Sequence, residues 1–129
     1  MLKTLLFLFG ALSLTGCAVF PGLVLSTVGD AGRGADLFSH GRGDAPACSM
    51  CHHSSAGQTG FSIGPNLANV SGRAWVRVEG LAAEQYIRQS ILDPHAFIVP
   101  GYRAMMYPDY AQHLSAQDIQ DLIAYLLTL

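Results

Sequence analysis

An all-α fold is what this sequence predicts: about four short helices joined by long loops and wrapped around something that completes a thin core. Three observations carry the expectation. Beyond Ser115, residues Ile119, Leu122, Ile123 and Leu126 recur at i, i+3, i+4 and i+7, the stripe of an amphipathic helix. No stretch alternates apolar and polar residues as a half-buried strand would. The segments between candidate helices are long and broken by glycine and proline.

The elements follow in order. Asp30 to Ser39 is a short helix with Ala35, Leu37 and Phe38 as apolar members, and Gly34 one turn before Phe38 invites close approach of another helix. His40 to Ala47 is a turn, and His53 to Asn69 is a loop holding Gly57, Gly60, Gly64 and Pro65. Leu81 to Leu92 is a helix with Tyr86, Ile87, Ser90 and Ile91 at one-turn spacings, ended by Asp93-Pro94. His95 to Gln112 is a long loop with Pro100, Gly101 and Pro108, and long ordered loops usually carry function. Ser115 then opens the last helix, with Asp118 three residues on as its capping-box partner.

The N-terminus has a different character. Lys3, the apolar run Leu5 to Leu12 and the closing Leu14-Thr15-Gly16-Cys17 describe a secretory signal peptide over residues 1–16. The last four residues resemble a bacterial lipobox, which implies that Cys17 is lipidated and begins the mature chain. An uncleaved membrane anchor is the alternative. Residues 17–30 are then a lipidated N-terminus and linker. Either reading places residues 31–129 on the extracytoplasmic, periplasmic face of a bacterial membrane.

Removing sixteen of 129 residues leaves 113, enough for one domain and not two. Without Lys3 there are six arginines against nine acids, a mildly acidic balance that argues against nucleic acid. It permits a redox partner with a basic rim.

Cys48-Ser49-Met50-Cys51-His52 is the informative motif. Two thiols three residues apart, followed at once by histidine, read as a c-type haem attachment site. Each thiol adds to one vinyl group, and His52 becomes an axial ligand of the iron. A zinc site needs two more soft ligands at similar spacing, and Cys17 is the single other cysteine. A thioredoxin-like pair belongs in a βαβ pattern, which is absent. The expected cofactor is therefore one covalently attached haem c.

Electron transfer favours a second axial ligand, and methionine raises the potential. Met1 is in the leader, and Met50 lies inside the attachment loop. Met105 and Met106 remain, in the long loop before the last helix, and their spacing alone does not separate them. His95 and His113 are alternatives if both methionines are core.

From Gly32 to Leu129 the chain resembles a small class I monohaem cytochrome c. The likeness rests on Gly34 to Phe38, Cys48 to His52, Gly64-Pro65-Asn66-Leu67, the Met-rich loop, and the Leu114-Ser115 helix with Tyr125. It implies the cytochrome c fold, with the carbonyl of Pro65 accepting a hydrogen bond from His52. Counting back from Leu114-Ser115, it places Met106 on the ligand position, although Tyr107 stands where the family commonly has proline; Met105 is the fallback. It implies a crossing of the first and last helices at Gly34, Phe38 and Tyr125. It suggests Arg73 and Trp75, with Arg77, as partners of a haem propionate, and Tyr102 and Tyr110 as walls of the methionine side.

The function this implies is single-electron transfer, with no substrate turnover. The segment Trp75 to Tyr110 also resembles single-haem subunits of membrane respiratory complexes, including alternative complex III. The expected partners are thus redox proteins, with an integral membrane electron-transport complex foremost. The competing expectation is a gas sensor or peroxide-reactive haem protein with an open sixth position.

Overall fold

A computed structural model describes residues 28–129 of the chain. The expected signal peptide and lipobox over residues 1–17 lie outside the described residues, as does most of the expected linker. Among the described residues the regular structure is helical: α1 Ala31–His40, α2 Val70–Ala74, α3 Ala83–Leu92, α4 Tyr110–His113 and α5 Ala116–Leu126. A 3-10 turn covers Cys48–Met50. None of these helices is long and apolar enough to cross a membrane.

The two terminal helices form the frame. Asp30 caps α1, its carboxylate accepting from the Arg33 N–H at 3.0 Å. The expected capping box starts α5: Ser115 Oγ accepts from the Asp118 N–H at 3.1 Å, and Asp118 accepts from the Ser115 N–H at 2.9 Å. The helices cross where Gly34 faces α5. A β-carbon on Gly34 would run into the Asp121 backbone and stand 2.7 Å from Cβ of Tyr125. Phe38 meets Tyr125 one turn on, ring centroids 5.4 Å apart. The expected crossing at Gly34, Phe38 and Tyr125 is present.

Two buried carboxylates fasten that crossing. Asp121 is 1% exposed. It accepts from Arg33 Nε at 2.8 Å, Gln117 Nε2 at 2.7 Å and the Asp30 N–H at 2.8 Å. The Arg33 hydrogen bond, set against burial, leaves its carboxyl well below the usual range. Asp118 is buried, which alone would raise its pKa, yet its bonds to Ser115 and Arg42 win and hold it low.

Helix α3 starts two residues later than its apolar pattern suggested. Gln85 Oε1 accepts from the Ala82 N–H at 2.9 Å and sets the boundary there. Helices α2 and α4 are additions to the sequence reading. Each is about one turn long, too short to show a period. The core joins Leu37 and Phe38 of α1, Tyr86, Ile87 and Ile91 of α3, and Ile119, Leu122, Ile123 and Leu126 of α5. That core is hollow on one side, where the site lies.

Candidate functional site

The 3-10 turn places the motif. Met50 N–H bonds to Ala47, and the N–H groups of Cys51 and His52 both bond to the Cys48 carbonyl, at 3.1 and 3.0 Å. This tight turn brings Cys48, Cys51 and His52 to one wall of a cavity of about 470 Å³. That size lies in the usual range for a small-molecule or cofactor pocket. Among the described residues no group of three or more His, Cys, Asp or Glu is placed to hold a metal ion.

The loop after the motif holds His52. Its Nδ1 lies 2.8 Å from the Pro65 carbonyl oxygen. A carbonyl only accepts, so Nδ1 carries the proton and Nε2 keeps a free lone pair. Burial lowers the imidazole pKa, with Pro65 acting the other way. A neutral ring with a bare Nε2 is what metal ligation needs. Gly64 lies against the ring face, with its N–H on the Cys51 carbonyl at 2.8 Å. Ser62 Oγ bridges the carbonyls of Cys51 and Gly64 at 2.6 and 2.8 Å. Leu67 N–H closes the loop on the His53 carbonyl at 2.7 Å.

The Cys48 thiol is pushed up to about 11 by burial, with its own backbone and the neighbouring Tyr110 acting the other way. Such a sulfur resists charging where it stands. A thioether never has to be charged, so covalent attachment suits it. Tyr110, also shifted upward by burial, donates to the Pro46 carbonyl at 3.0 Å and ties α4 to the attachment turn.

The methionine loop forms another part of the cavity wall. Met105 and Met106 both line it, but Met105 is 62% exposed while Met106 is half-buried and packs on the core. Met50 is exposed on the attachment turn. His95 and His113 do not line the cavity. The Nε2 of His113 is hydrogen-bonded by the Tyr107 hydroxyl at 2.8 Å. Tyr102 and Tyr110 line the wall as expected.

The other expected contacts divide. Arg73 lines the cavity, but its guanidinium donates to the backbone carbonyls of Asn66 and Ala68. Trp75 is not brought to the site: it is 64% exposed and does not line the cavity. The reason is rotational. Val70 and Ala74 share the buried face of α2, and Trp75, at the C-cap, follows Ala74 about 100° further round. Arg77 and Arg103 do line the cavity, and sequence reasoning missed Arg103 because nothing local marks it.

The lining contains three arginines and no acid, a fit for a flat apolar group carrying carboxylates. From Ala45 to Gly72 the chain has no Asp, Glu, Lys or Arg. Met50, Phe61 and Ile63, on either side of Cys51 in sequence, are all exposed there.

No curated protein matches this chain. Residues 31–129, however, match the family model for cytochrome c, whose members carry a covalently attached haem c, and the Cys48-x-x-Cys51-His52 turn fits one such group. With that match spanning the whole helical domain, the chain belongs to the cytochrome c family.

Proposed function

We propose that this chain is a membrane-anchored one-electron carrier whose haem iron is ligated by His52 and Met106. The family carries electrons through haem; the axial pair and the anchoring are the finer reading. The single observation that carries it is one cavity lined by Cys48, Cys51, His52 and Met106 together. When bound, the haem supplies a reversible one-electron couple at iron. The chain supplies everything else. Cys48 and Cys51 hold the group covalently. Pro65 keeps the proton on Nδ1 of His52, so Nε2 is available to the metal. Met106 supplies a soft thioether that raises the potential. Phe38, Ile87, Ile91 and Leu122 keep water from the pocket, which favours a low charge-reorganisation cost.

The lipobox-like Leu14 to Cys17 supports a lipid anchor outside the cytoplasm. Redox proteins are the proposed partners, and a membrane electron-transport complex would hold the chain as a subunit or receive it as a shuttle. The mildly acidic sequence supports no nucleic-acid role.

The test is an optical spectrum, oxidised and reduced, of the full chain made in a host that matures c-type haem. A sharp reduced α band with the weak near-infrared band of an iron–methionine bond is expected. A broad high-spin spectrum that shifts with carbon monoxide overturns the His/Met assignment in favour of ligand sensing or peroxide chemistry. Mass spectrometry of the N-terminal peptide reads acylation at Cys17.

A further inference from the structure

The segment that carries Met106 is loosely held by its own backbone. Among the described residues, no N–H or C=O of Met106, Tyr107 or Pro108 bonds to another backbone group. The polar tie of this segment is a side chain. The Tyr107 hydroxyl donates at 2.8 Å to Nε2 of His113, the last residue of α4. The Tyr107 ring also meets the Tyr110 ring edge-on, with centroids 5.1 Å apart and planes at 83°. Tyr110 is buried, and its hydroxyl donates to the carbonyl of Pro46, two residues before Cys48. Tyr107 thus joins the methionine segment to α4, which Tyr110 joins to the turn carrying the cofactor thiols. We propose that Tyr107 is a positioning residue, whose latch on His113 holds Met106 at the sixth position of the iron against competing ligands. This rests on the axial role of Met106 proposed above.

The physical argument is one of order before ligation. A thioether that leaves the iron frees its segment to move, and returning costs the entropy of that motion. A segment already ordered pays less of this cost and competes better for the metal. With no backbone bonds to order them, residues 106–108 depend on side chains. Tyrosine suits the task because its rigid ring packs on Tyr110 while its polar tip reaches His113. Pro108 confines Tyr107 to extended backbone, so a ring held at its hydroxyl also fixes the direction of the chain leaving Met106. His113 does not line the cavity, so the latch acts through the loop and not by touching the iron.

The experiment uses the full haem-loaded chain as wild type, Tyr107→Phe, His113→Leu, the double variant and His113→Gln. Imidazole is titrated into the oxidised protein and its binding read from the Soret shift. Backbone order parameters of Met106 and Tyr107 are read by NMR in the reduced protein. Tyr107→Phe and His113→Leu should each tighten imidazole binding about fivefold, the worth of one neutral hydrogen bond, and lower the order parameters. The double variant should match either single one, because both remove the same bond. His113→Gln offers a carboxamide oxygen to the hydroxyl and should stay close to wild type. Unchanged order parameters in Tyr107→Phe, or single effects that add in the double variant, overturn the proposal. Lower order at an unchanged imidazole affinity supports the latch and instead overturns Met106 as the ligand. Should the variants fail to fold, the wild type still answers. Its Tyr107 hydroxyl proton should be resolved, slow to exchange and close to the His113 ring, and a hydroxyl in fast exchange with water overturns the proposal.

Discussion

Gly64 lies flat against the imidazole of His52: a β-carbon on residue 64 would stand 2.7 Å from Nδ1 and 2.8 Å from Nε2. The ring therefore has one face closed by backbone and one nitrogen held by Pro65. Its remaining freedom is small, and Nε2 is left without a hydrogen bond among the described residues.

Gly64→Ala is expected to push the ring off the Pro65 carbonyl. Overpacking at a closed contact costs typically about 1–3 kcal/mol. The variant should give less haem-loaded protein and a larger high-spin fraction than the wild type. Visible spectra of matched preparations check this.

Met106→Ala should lower the midpoint potential and give a high-spin haem open to carbon monoxide, because the thioether that raises the potential is gone. Met105→Ala, at an exposed position, should change neither. If the two variants behave in the reverse way, Met105 is the ligand. Redox titration with carbon monoxide difference spectra separates them.

Gly34→Ala should destabilise the domain by about 1–3 kcal/mol or more, since backbone of α5 fills the space the methyl needs. A lower guanidinium midpoint at an unchanged slope would show that the loss lies in the folded state. The crossing is stiff because helix backbones meet there.

Acid should weaken the same crossing. Asp121 and Asp118 both titrate below the ordinary carboxyl value of 3.8. Groups depressed in this way contribute stability that is fully present above 3.8 and is lost as pH falls through their folded-state values. The wild type should therefore lose stability below about pH 4, and Asp121→Asn should flatten that slope while lowering stability at neutral pH. Denaturation midpoints measured across the acid range read both effects.

How much of this was legible in the chain depends on how local each feature is. Cys48, Cys51 and His52 are readable because one 3-10 turn both spaces and presents them. Helix α5 is readable because eleven residues display a period and a capping box. Helix α2 is not: Val70–Ala74 is a single turn entered through Asn69 at φ 54°, with Gly72 inside it. The family likeness is what placed Trp75 at the site, whereas the rotation of α2 carries it outward. The partners of Arg73 and the clamp of Arg33 on Asp121 were beyond sequence reasoning for another reason. The first depends on the path of a loop, and the second joins residues 88 apart. Pro65 was reached only through the family likeness, and its contact with His52 is present.

The uncharged stretch from Ala45 to Gly72 has a kinetic consequence. A molecule that meets the chain at Met50, Phe61 and Ile63 finds no fixed charge within that stretch to draw it in or turn it round. Long-range steering needs a field, and salt acts on association by screening one. The stretch itself therefore adds nothing to the salt dependence of an encounter there, which charges elsewhere in the chain set.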